Sequence, residues 1–284
     1  MGDEDEAKMW ALLEVLKGAL EKHALGFCSL GPALTVQGCQ LVPRMLAYSP
    51  AFNSSLLVMP DTADEQFSVM HRVDLCRAAA QVCLELSAFA PGDGLTNFRF
   101  CAAFNCKPGI PYFPVSYAPS SSGGAEAQRS LAVGLENGDL LFLAFHGVGD
   151  DLARARENLT TTLRQALTPV QRIAREACTA VGIKFGGVDA SLAPGLEPRD
   201  SVGGPMEDLY PYKFAAPGSV SAVSAITAAI KSLANDGSGS DGDAIQLTGY
   251  SGLMLPVMED IVMAERAKEV LIGQSLPTTT DKCG

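Results

Sequence analysis

Apolar positions recur along this chain with two periods. Met9, Leu12, Leu13, Leu16 and Leu20 step mostly by three and four residues, which predicts a helix over 5–23 whose acidic start suits the positive end of the helix dipole. Leu75, Ala79, Val82 and Leu86 share one helical face and predict a second helix over about 70–89. Between 95 and 145 the pattern changes. "LTNFRFCAAF", "SLAVGLE" and "DLLFLAF" are short apolar and aromatic runs separated by Pro, Gly and Ser, and they read as strands. "GLENGDLLFLAFHGVGDD" reads as a hairpin with Asn137 and Gly138 in its turn.

Helical periodicity returns from Asp150 to about Val181, with a break or bend expected at Pro169, where a ladder hydrogen bond is lost. "GIKFGGVDA" then predicts a strand, Ser219 caps a helix to about Ala234, "AIQLTG" predicts a short strand, and 256–271 a last helix. "PSSSGGAEAQ" and "NDGSGSDGD" are surface loops. Strand and helix alternate through the second half. This predicts an α/β fold, a barrel-like mixed or mainly parallel sheet surrounded by helices, with ligands beyond the carboxyl ends of the strands. The expected organisation is an N-terminal helix over 1–24, an α/β domain over 25–272 and a tail over 273–284.

Composition narrows the function classes. A chain of 284 residues that is 47% hydrophobic can bury a substantial core. Its net charge of -11 argues against nucleic acid or anionic lipid as a partner. No apolar run approaches the roughly 20 residues that span a bilayer. The acidic start "MGDEDEAKMW" lacks the features of a secretory or organellar leader, so a cytoplasmic location is expected. The 8 cysteines are dispersed with no Cys-x-x-Cys pair, the pattern of reduced core residues.

Candidate chemistry lies at the predicted strand ends. Asp189 closes "IKFGGV", where a side chain can face a ligand crevice or cap the turn that follows; Ser191 and Asp200 are weaker candidates. Asn97 and Arg99 fall on one face of the strand read from "TNFRF". There Arg99 either grips a carboxylate or phosphate with its guanidinium fork or forms an edge ion pair. His146 follows an apolar run and is the best acid or base candidate, with a structural hydrogen bond as the alternative. In "LTGYSGLMLPVMED", Gly249, Ser251 and Gly252 could bring backbone amides to an anion. Glu259 and Asp260 either favour the helix dipole or join Asp189, with His146, around magnesium, manganese or calcium. No Walker, dinucleotide-binding or EF-hand spacing is present. Two readings follow: a pocket for a small anionic metabolite, enzymatic and metal-assisted, or a non-catalytic binding or scaffold protein that self-associates.

The ordered motifs "GLTNFRF", "PGIPYFPVSY", "LAVGLENGD", "AFHGVGDD", "GVDASLAP" and "LTGYSGLMLPVMED" resemble the domain of unknown function 711 family, over roughly residues 25–270. The resemblance implies the barrel-like α/β architecture of the pyruvate formate-lyase-like superfamily without implying that enzyme's activity. It also implies further strands beyond Leu271 that "IGQSLPTTTDKCG" does not match, so a C-terminally truncated form is expected. "TGYSG" is superficially similar to a glycyl-radical loop but lacks that motif's preceding arginine.

Overall fold

The computed structural model describes residues 3–59, 72–90, 94–104, 106, 110–111, 115–117, 129–209, 213–234 and 244–275. The chain divides into two compact units, Met1–Glu126 and Ala127–Gly284. Both predicted loops, "PSSSGGAEAQ" and "NDGSGSDGD", lie outside the described residues.

In the first unit, β1 (Cys28–Ala33), β2 (Phe52–Met59) and β3 (Phe100–Phe104) form a parallel sheet in the order β1-β2-β3. The crossovers carry α2 (Val36–Tyr48) and α3 (Val73–Ser87), and α1 (Asp3–Lys22) precedes them. Phe52, Leu56 and Val58, alternating along β2, share one core with Val42 and Leu46 of α2 and Leu75, Val82 and Leu86 of α3. Leu13 and Leu20 bring α1 into it, as the helical stripe predicts. "TNFRF" departs from expectation: Asn97–Arg99 is a 3-10 turn, and the strand starts only at Phe100.

The second unit pairs β4 (Ser130–Gly134) with β5 (Lys184–Asp189) in parallel, with Gly134 opposite Asp189. Between them run α4 (Gly138–Phe145) and α5 (Leu152–Val181); α6 (Gly203–Leu209), α7 (Ser219–Ser232) and α8 (Ile261–Ser275) follow. Among the described residues the strands form these two parallel sheets and close no barrel.

Four local expectations are corrected here. "DLLFLAF" is helix α4 and no hairpin forms; Leu141, Ala144 and Phe145, spaced three and one residues apart, are buried on one helical face. Asn137 stands at the N-cap position, and Gly138 packs so closely that a Cβ would lie 2.2 Å from Asp200 O. α5 runs unbroken through Pro169, which is solvent-exposed. Leu159, Leu163 and Leu167 are buried on the opposite side. Each such leucine contributes roughly 1.5–3 kcal/mol, together outweighing a proline cost of about 3 kcal/mol. Gly218 rather than Ser219 precedes α7 as cap, and α8 begins at Ile261 rather than 256. Among the described residues no helix is long and apolar enough to cross a membrane.

Candidate functional site

β5 continues its pairing past its own end, against a segment of irregular backbone. Val188 N donates to Gln246 O at 2.8 Å and Thr248 N to Val188 O at 3.0 Å; the pairing resumes with Leu192 N to Gly252 O and Met254 N to Leu192 O, both at 2.9 Å. Between these rungs the 246–254 segment bulges. Gly249 (φ 62°) and Ser251 (φ 40°) are both left-handed there, and the second is a conformation that costs a non-glycine residue energy.

Asp189 fills the bulge. Its side chain has no solvent exposure, and Oδ2 accepts from Tyr250 N at 2.8 Å while Oδ1 accepts from Ser251 N at 3.0 Å. Oδ1 also accepts from Ser191 N at 3.0 Å and from Ser191 Oγ at 2.6 Å. Ser251 Oγ donates to Thr248 O at 2.8 Å and accepts from Ala190 N, and Ser191 Oγ accepts from Gly252 N. Asn137 Nδ2 closes the network on Ser191 O at 3.1 Å, from the start of α4. Among the described residues no cationic side chain pairs with this buried carboxylate, and the four donors that converge on it offset the cost of its burial. Three of the four hydrogen bonds reach Oδ1 and one reaches Oδ2, and together they fix the 250–251 backbone against the end of β5.

Beside this network lies a cavity of about 250 Å³, lined by Glu136, Gly138, Asp139, Ala193, Gly195 and Asp200. Tyr250, at the tip of the Asp189-held bulge, is 40% exposed, and its carbonyl accepts from Lys231 Nζ at 3.1 Å. A larger groove of about 680 Å³ between α5 and α7 is open, and its hydroxyls, Ser221 and Ser224, are exposed. The smaller cavity is the better site candidate, because it adjoins a strand end and a buried polar network.

Asp260 is the second buried carboxylate, 1% exposed. Oδ1 accepts from Val262 N and Met263 N at 3.0 Å each, capping α8, while Oδ2 accepts from Val202 N at 2.7 Å and Gly203 N at 3.1 Å at the start of α6. Ser201 Oγ donates to the same carboxylate at 2.9 Å. Asp260 therefore holds two helix N-termini at once. Glu259 lies in the preceding turn, partly exposed. Asp189 and Asp260 share no hydrogen-bond partner, and among the described residues no three His, Cys, Asp or Glu side chains gather as a metal would require. The convergence of Asp189, Glu259 and Asp260 that a shared cation needs is not formed.

The other candidates have local partners. Arg99 Nη1 donates to Leu46 O and Ser49 O at 3.0 Å and to Phe52 O at 3.3 Å, tying the end of α2 to β2, and burial lowers its pKa. Asn97 Nδ2 donates to Cys83 O at 2.9 Å. Both belong to the first unit. His146 ends a helix rather than a strand and is exposed, its ring stacked on Phe142 with centroids 5.7 Å apart. The seven cysteines among the described residues are unbridged; burial pushes the Cys39 thiol up to about 11 and Cys101 to about 12, so both are protonated at neutral pH. Sequence reasoning missed Asn137 as a network member because Asn-Gly mimics a hairpin turn. It missed Ser201 because nothing local ties that residue to Asp260.

The model of the family described as Uncharacterised ACR (DUF711) matches residues 3–284. The chain belongs to this family. It is similar to a UPF0210 protein of Pyrobaculum islandicum, 27% identical over 97% of this chain and 60% of that protein. A UPF0210 protein of Methanopyrus kandleri is 24% identical over 96% of this chain and 58% of its own length. One from Acetivibrio thermocellus is 27% identical, over 93% and 57%. The chain thus spans about 60% of the length of these UPF0210 relatives, which match nearly all of it. The motifs that carry the resemblance include "GVDASLAP" and "LTGYSGLMLPVMED", which contain Asp189, Ser191, Ser251 and Asp260.

Proposed function

We propose that the second unit binds a small polar metabolite in the cavity beyond the carboxyl end of β5, lined by Glu136, Asp139 and Asp200, with the buried Asp189, Ser191 and Ser251 positioning the loop beside it. The observation that carries this reading is the left-handed Ser251, held by Asp189 and its own two hydrogen bonds in a bulge that regular pairing would not need. Strained backbone at the end of a parallel strand is where α/β proteins engage ligands. Glu136, Asp139 and Asp200 around the adjoining cavity favour a molecule rich in hydrogen-bond donors, an amine or polyol, over the anion expected from Arg99. A volume of about 250 Å³ suits a molecule smaller than the usual drug-sized ligand. Thermal unfolding with ethanolamine, glycerol and acetate tests the class. Stabilisation by ethanolamine or glycerol and not by acetate supports the reading, and no response to either contradicts it.

A second reading has its own observation. Leu255, Val257, Met258 and Ile261 are 40%, 44%, 85% and 37% exposed just before and at the start of α8, an apolar run that self-association would cover. Light scattering that shows a dimer, reverting to monomer in Met258→Glu, supports it; a monomer at high concentration removes it.

A further inference from the structure

The groove between α5 and α7 in the second unit has a volume of about 680 Å³, within the range of small-molecule pockets, roughly 300–1,000 Å³. Leu152, Val220, Ala225 and Ala228 give it an apolar wall. Val220 is 72% exposed, so this wall is open to an incoming molecule. Among the described residues Arg156 is the one charged side chain on the lining.

Arg156 has no acid to hold, although the chain carries 32 Asp and Glu against 21 Lys and Arg. Among the described residues neither its guanidinium nor the hydroxyls of Ser221 and Ser224 on the facing helix make a hydrogen bond or ion pair. A neighbouring recess of about 360 Å³ shares Ala153 and Arg156 but adds Glu157, which repels an anion. A negative group is therefore directed to the Ser221 side of the arginine. Asp151, the acid just before α5, is engaged by Arg154 N at 3.0 Å. Leu152 and Val220 are the first and second residues of their helices, so the positive ends of two helix dipoles lie at this groove.

These features select a ligand by charge and shape. A single guanidinium with its planar fork of N–H donors matches a carboxylate, which accepts two parallel hydrogen bonds from it. A phosphate monoester carries about -1.5 to -2 at pH 7 and would leave charge unmatched in a chain of net charge -11. The serine hydroxyls can donate to the same carboxylate, and the apolar wall accepts a hydrocarbon body. We propose that the groove between α5 and α7 binds a monocarboxylate with a short alkyl chain, its head group on Arg156 with Ser221 and Ser224 as further donors, its chain along Val220, Ala225 and Ala228. This groove shares no lining residue with the cavity beside Asp189, so the two sites stand or fall separately.

Amide chemical-shift mapping of the full isotope-labelled chain with octanoate, octylamine and octyl phosphate as probes tests it. Octanoate should produce saturable shifts centred on Arg156, Val220, Ser221 and Ser224, octylamine none there, and octyl phosphate weaker ones. Arg156→Gln should weaken octanoate binding about fivefold, the upper end for an exposed charge pair. Arg156→Lys, which keeps the charge and loses the fork, should fall between the two. Arg156 has no partner to lose, so both variants should keep the parent's Tm without probe, which separates lost binding from lost folding. The octylamine and octyl phosphate comparisons use the parent alone and decide the matter even if a variant's Tm moves. No octanoate shifts in the parent, an equal response to octylamine, tighter binding of octyl phosphate, or unchanged octanoate affinity in Arg156→Gln overturns the site.

Discussion

Asp260 Oδ2 accepts from Val202 N at 2.7 Å, joining the first turn of α8 to the first turn of α6 across 58 residues of chain. Four backbone amides and one hydroxyl converge on this single carboxylate. Removing it orphans both helix ends together. Asp260→Ala should therefore destabilise the second unit by about 3 kcal/mol, the sum of two lost caps and their unpaired amides, and Asp260→Asn should cost less. Urea unfolding followed by circular dichroism measures both; a loss below about 1 kcal/mol for alanine would mean that the amides find other partners.

Gly138 begins α4 against the carbonyls of Asp200 and Ala193, where a Cβ would lie 2.2 Å and 3.0 Å away. Gly138→Ala must push the 193–200 segment outward. A destabilisation of roughly 2 kcal/mol is expected, of the size that overpacking usually produces. Because Gly138 and Gly195 also line the small cavity, the same substitution should alter ligand response there, which thermal shift with ethanolamine reads directly.

Ala24 adopts φ 52° after α1 and is exposed. Glycine accepts that backbone without the penalty that a Cβ brings. Ala24→Gly should then be stabilising by up to about 1 kcal/mol, although the added freedom of the unfolded chain offsets part of the gain. A fall in Tm would show that the residue's left-handed conformation is not costly in this turn.

Glu207 meets Arg266 through two contacts, Nε to Oε1 at 2.7 Å and Nη2 to Oε2 at 2.8 Å, and also accepts from Phe214 N at 2.7 Å. The hydrogen bond from Arg266 is the main cause holding its pKa below the ordinary 4.5, and the Phe214 amide adds to it. A depressed folded-state pKa stabilises the protein above 4.5, and that contribution disappears as the pH falls through the folded value. Acid titration of the parent should show a loss of stability below pH 4.5 that Glu207→Gln reduces. Parallel curves for the two proteins would remove Glu207 from the acid response.

What the sequence made legible follows the range of the interactions. α1, α3 and α5 carry long stripes at helical period, and each helix forms where the stripe lies. In "DLLFLAF" the six residues after Asp139 are all apolar, a run too short for its period to separate helix from strand, and the preceding Asn-Gly tilted the reading toward a hairpin. The position of Asp189 at a strand end was readable, whereas its saturation by Tyr250 N and Ser251 N was not, since those partners are 61 and 62 residues away. Arg99 looked ready for a ligand for the same reason: the carbonyls that occupy it belong to residues 47–53 positions earlier. The dipole reading of Asp260 caught half of its role, because the α8 cap is local and the α6 cap is not.

The central claim is that the bulge held by Asp189 is a ligand-engaging loop. Backbone amide chemical-shift mapping of the isotope-labelled chain, titrated with ethanolamine and with glycerol, tests it most directly. The account predicts saturable shifts centred on Ser191, Tyr250, Ser251 and Gly252 and on Gly138 and Asp139 beside the cavity. It also predicts their loss in Asp189→Asn, whose amide nitrogen would face the backbone donors in place of one oxygen. Titrations that leave these amides unmoved while the protein stays folded would contradict it.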